Sequence, residues 1–107
     1  MTETEILRNR IIDIVIRYSG IKEKDFYTQK PKAQYQSIRL MCMWIMNEKD
    51  IPYEEASAGL GITFQNYYYH LRKIKAWKDK KENAMFFKMT EEIIKEVDNE
   101  KSELSLY

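Results

Sequence analysis

Only three glycines and two prolines interrupt this chain of 107 residues, and that scarcity constrains the fold more than any other feature. An all-β domain needs a tight turn between every pair of short strands, and turns draw on Gly and Pro. Helices need far fewer breaks. The chain is also 44% hydrophobic and 33% charged, too apolar to stay disordered. An all-α fold is expected, in one domain of ordinary size with little room for a second core.

Helical spacing and its stop signals divide the chain. Thr2 with Glu5 three residues on reads as a capping box, and Leu7, Ile11, Ile14, Val15 and Tyr18 then recur at helical intervals up to Gly20, predicting a first helix over 3–19. Ile21 and Phe26 belong to a short turn of helix, followed by the polar, basic connection QKPKAQ, where Pro31 suits the first position of the next helix. From Ala33 to Asn47 no Gly or Pro occurs, and Met41 to Met46 are apolar without a break. A helix apolar nearly all round belongs at the centre of a core.

Pro52 starts a short helix with Glu54 and Glu55 in its first turn, where the helix dipole favours them. Gly61 marks a turn, and Thr63 is the N-cap of a helix running FQNYYYHLRKIKAWKDK, with Tyr67, His70 or Leu71, Ile74 and Trp77 facing inward. After the basic stretch KDKKEN, Met85, Phe86, Met89, Ile93 and Val97 define a last amphipathic helix, and the terminal SELSLY is expected to fray. The expected organisation is a helix-turn-helix domain of about five helices over residues 1–81 and an acidic C-terminal helix and tail over 82–107.

Charge narrows the choice of partner. The net charge is +1, but residues 1–29 carry 0, residues 30–81 carry +5 and residues 82–107 carry −4. An anion-binding surface therefore belongs to the middle of the chain. Cys42 and His70 are the only residues of their kinds, so no intrachain disulfide and no Cys/His zinc set is expected, and no cofactor is called for. Cys42 and the six methionines read as core filling, as do Trp44 and Trp77. His70 has no triad partner legible in sequence, and the adjacent Glu54 and Glu55 point apart, so enzyme function is not expected. No apolar run approaches the roughly 18 residues of a span, and MTETEILRNR lacks the pattern of a secretory signal, so a cytoplasmic protein is expected.

The segment YEEASAGLGITFQNYYYHLRKIK has helix-turn-helix spacing. Small Ala56 and Ser57 stand where a second helix crosses closely, Gly61 where positive φ is needed, Ile62 between the helices, and Tyr67 inward on the second helix. Thr63, Phe64, Gln65, Asn66, Tyr68, Tyr69 and Arg72 then point outward. In such a unit the second helix enters the major groove of double-stranded DNA. Gln65 can pair with adenine, Phe64 can touch a thymine methyl, and the tyrosines and Arg72 can donate to phosphates or bases. Lys73, Lys75 and Lys78 are placed for phosphates. The competing reading is a protein-interaction module using the Tyr/Phe surface and the C-terminal helix; that last helix either offers a contact for a homodimer or folds back to cover the central helix of a monomer.

From about Ile6 to Ile74 the chain resembles the C-terminal DNA-binding domain of the bacterial replication initiator DnaA, which shares its helix arrangement with the Trp repressor. The likeness is carried by GIKEKDF, the basic connection QKPK, the long-helix run IRLMCMWIM, the EEASAGLG segment and the closing HLRKI. By that resemblance Arg39 reaches into a minor groove, Lys30 and Lys32 lie in a basic loop against phosphates, and the role is regulation of replication or transcription. The family's Asp-His-(Thr/Ser)-Thr signature is replaced by TFQNYYY, one residue shorter, so the family's usual origin sequence is not implied as the target. No G-x-x-x-x-G-K-[ST] run occurs, so no ATPase module is expected in this chain.

Overall fold

The computed structural model describes residues 1–28 and 32–105, with side chains to residue 99. All regular structure among these residues is helical. Helix α1 (Glu3–Ser19) starts at the expected capping box, with Thr2 Oγ1 accepting from the Glu5 N–H at 3.1 Å and the Glu5 carboxylate reaching back to the Thr2 N–H. It ends at Gly20, whose φ of 71° is open to glycine at little cost. Helix α2 (Glu23–Phe26) is a single turn that buries Phe26 completely, and Ile21 just before it is buried too.

Helix α3 (Ala33–Glu48) is the central element, with every residue from Met41 to Met46 buried. It packs against α1 and against two later helices, α5 (Phe64–Trp77) and α6 (Ala84–Ser105), while α1 also meets α6 and α4 (Tyr53–Leu60). Asp50 takes φ 58° in the link between α3 and α4, a left-handed position that Asp tolerates better than most residues. Pro52 stands as the N-cap of α4 and not as its first residue, a shift of one position. Pro31 lies outside the described residues. No helix among the described residues is long and apolar enough to cross a membrane.

The C-terminal helix folds back over the body of the protein. Ile93 and Val97 are 1% and 0% exposed and belong to the same buried cluster as Ile11, Trp44 and Leu71. Phe87 meets Trp44 edge-on at 5.6 Å, and Phe86 meets Trp77 at 5.9 Å. At the rim, the Tyr18 hydroxyl donates to Glu92 Oε2 at 2.6 Å, and Lys49 pairs with Asp98. Helix α6 thus places Ile93 and Val97 in the same core as α1, α3 and α5. The helix runs on to Ser105, through most of the segment expected to fray; residues 106–107 lie outside the described residues.

Two positions in α6 differ from the expected face. Met85 is 66% exposed, although it lies two steps of four before Ile93. Four residues turn an α-helix by about 400°, so each step drifts about 40° and two steps carry Met85 off the buried side. Thr90 is buried in its place among the inward residues. Its hydroxyl is satisfied within the helix, donating to the Phe87 carbonyl at 2.7 Å.

Candidate nucleic-acid interface

Helices α4 and α5 form the expected pair, and each joining residue has a physical reason. Ala56 and Ser57 are 0% and 4% exposed at the crossing, where larger side chains would hold the helices apart. Gly61 takes φ 70°, a conformation that strains any residue with a Cβ. Its N–H and that of Ile62 return to the carbonyls of Ala58 and Ser57 at 3.2 and 3.1 Å, closing the end of α4. Thr63 then caps α5, accepting from the Asn66 N–H at 3.1 Å.

The inward side of α5 is seated by Tyr67, Leu71 and Ile74, all at most 1% exposed. The Tyr67 hydroxyl donates to the Met43 carbonyl at 3.2 Å, tying α5 to α3, and burial pushes its phenol well above the usual tyrosine range. His70 and Trp77 are half-buried at the edge of this face. Burial, then the neighbouring charges of Lys73 and Arg39, lower the pKa of His70, which favours a neutral ring at neutral pH.

With that side occupied, Thr63, Phe64, Gln65, Asn66, Tyr68, Tyr69, Arg72, Lys73 and Lys75 are all exposed. Gln65, Tyr69, Arg72 and Ala76 follow helical spacing along the middle of the outer face, and Lys73 and Lys75 flank it. No Asp or Glu occurs between Phe64 and Trp77. The aromatic rings are braced: Tyr53 on α4 stands 5.9 Å from Phe64, 5.5 Å from Tyr67 and 6.1 Å from Tyr68. Arg72 lies 5.9 Å above the Tyr68 ring, and Lys73 lies 5.0 Å above that of Tyr69. Between these rings and their cations runs a shallow groove of about 450 Å³ that includes Ala76.

The basic connection contributes less that can be described. Lys32 is exposed at the N-cap of α3. Lys30 lies outside the described residues. Arg39 departs from the expectation attached to it. It is 6% exposed, and its Nη1 donates to the Thr28 carbonyl at 3.0 Å. A guanidinium drawn into the protein and held there does not extend into a minor groove. Arg39 falls on the side of α3 where the helix is becoming fully enclosed, one residue before the Leu40–Met46 run, and nothing in residue type distinguishes a buried arginine from a protruding one.

Sequence reasoning also missed Tyr53, which braces three aromatic residues of α5. Its only signal was position, at the first turn of the helix that crosses α5. No family model, curated protein or solved structure matches this chain.

Proposed function

We propose that this chain binds double-stranded DNA, laying the outer face of α5 in a major groove while α4 crosses above it. One observation carries the reading: α5 presents Gln65, Tyr68, Tyr69, Arg72 and Lys73 on one exposed face, on a helix without a single carboxylate. That face offers donors, aromatic edges and positive charge to a polyanion, and repels it nowhere. The negative charge of the chain is concentrated instead in residues 82–107. The resemblance of residues 6–74 to the DNA-binding domain of a replication initiator points the same way, and regulation of replication or transcription is the role that goes with it.

In this reading Gln65 stands opposite base edges, Phe64 and Tyr69 make apolar or edge contacts, and Arg72, Lys73 and Lys75 hold phosphates together with Lys30 and Lys32. Thr63 and Asn66 lie at the entry of the helix. Neutralising on the order of four phosphates gives log K a slope of about −3.6 against log[salt]. Fluorescence anisotropy with a labelled random-sequence duplex between 50 and 200 mM salt should then show roughly 150-fold weaker binding at the higher concentration. Lys73→Ala should lower the slope by about one unit. A flat salt response rules the reading out and favours a protein partner on the Tyr/Phe surface.

Base discrimination separates Gln65 from the lysines. After selection of a preferred site from random duplexes, Gln65→Ala should relax preference at one base pair by about 1–3 kcal/mol and leave the salt slope unchanged. Equal losses on preferred and scrambled duplexes would give Gln65 a positioning role only.

A further inference from the structure

Between α3 and the N-terminal end of α5 lies a cleft of about 700 Å³. Its polar lining comes from Tyr27, Gln36, Arg39, Thr63, Asn66 and His70, with no Asp or Glu among the described residues. Arg39 is the unusual member. It is 94% enclosed, given its 6% exposure, and no carboxylate pairs with it among the described residues. Its Nη1 is used by the Thr28 carbonyl, whereas its Nε is buried without a hydrogen-bond partner. A guanidinium remains charged at neutral pH, and a buried cation without a counter-charge is costly. An oxyanion admitted to the cleft would supply the counter-charge that this guanidinium lacks, through charge-assisted hydrogen bonds. The cleft also receives Thr63 and Asn66 from the start of a 14-residue helix, the end that carries partial positive charge.

We infer that this cleft is an anion site that seats a phosphate group, with Arg39 as its counter-charge and Asn66 at its mouth. The phosphate belongs either to the backbone of a bound duplex or to a free small phosphorylated molecule; the chemistry is the same. In the first case Arg39 anchors the start of α5 on the strand. In the second, the occupant sits beside the proposed DNA-reading helix and its binding is linked to that of DNA. The site itself does not depend on the duplex reading.

The experiment is a titration of the full chain with inorganic phosphate against chloride at constant ionic strength, followed by amide and imidazole NMR. Saturable shifts should centre on Asn66 and His70, and the pKa of His70 should rise, because a nearby anion stabilises the imidazolium. Arg39→Gln should weaken phosphate binding about tenfold or more, the effect of losing the charge and a charge-assisted hydrogen bond. Because Arg39 is buried, Asn66→Asp provides a second variant: Asn66 is exposed and in the first turn of α5, where an added carboxylate favours the helix but repels phosphate. Loss of saturation in a folded Asn66→Asp protein supports the site. Shifts that stay linear in phosphate, or that persist unchanged in Asn66→Asp, overturn it.

A second arm adds a 20-base-pair duplex. Displacement of phosphate with the same Asn66 and His70 shifts identifies the backbone as the source. Retention of phosphate, with a changed affinity for the duplex, identifies a free ligand. If phosphate saturates and no duplex binds, the duplex reading falls and the anion site stands.

Discussion

Replacing Tyr67 by alanine is expected to destabilise the protein by about 3–5 kcal/mol, the range for removing a fully enclosed large aromatic side chain. Tyr67 is 0% exposed, lies 5.5 Å from the Tyr53 ring and donates to the Met43 carbonyl. The deletion leaves a cavity where α3, α4 and α5 meet. Against a total stability of about 5–15 kcal/mol, such a loss is a fifth of the whole or more. Urea unfolding followed by circular dichroism measures it, and the melting temperature should fall by at least about 12 °C. Tyr67→Phe keeps the ring and loses only the hydroxyl contact, so about 0.5–1.5 kcal/mol is expected. An alanine variant within about 1 kcal/mol of the parent would mean that Tyr67 does not seat α5 on α3, and the outer face of α5 would lose its fixed orientation.

Ile93→Ala carries the second large effect, about 2–5 kcal/mol. Ile93 is 1% exposed within the cluster that also holds Ile11 and Trp44, so its methyl groups fill space inside the main body of the protein. Met85→Ala on the same helix is the control: at 66% exposure it should change stability by no more than about 0.5 kcal/mol. Similar small effects from both substitutions would detach α6 from the core. A stability that rose with protein concentration would instead indicate that a second chain covers the helix.

The contrast between these two helices shows which features were legible. Tyr67, Leu71 and Ile74 were readable as the inner face of α5 because Leu71 and Ile74 are its only branched aliphatic residues and Tyr67 lies one turn before them. The Thr63 cap and the Gly61 turn were readable because each depends on local chemistry: a hydroxyl within reach of an N–H, and a backbone angle that a Cβ resists. The outward set from Phe64 to Lys75 follows by exclusion once the inner face is known. The fate of α6 was not readable. An amphipathic stripe states that it will be covered, and it does not state whether α3 of the same chain or a second copy does so.

Arg39 marks the same boundary more sharply. Its resemblance to a family arginine suggested a side chain extended toward DNA, yet the Thr28 carbonyl draws it inward from eleven residues away. Sequence by itself determined the all-helical class, the Thr2 and Thr63 caps, the Gly20 and Gly61 stops and the charge layout, because these depend on neighbours within about one or two turns of chain. Tertiary structure alone decided that α6 joins the core, that Tyr53 braces the rings of α5, and that Arg39 lines an acid-free cleft. Each of those outcomes depends on which distant segments meet, and a contact across many residues is set by packing of the whole core, not by the residues at either end.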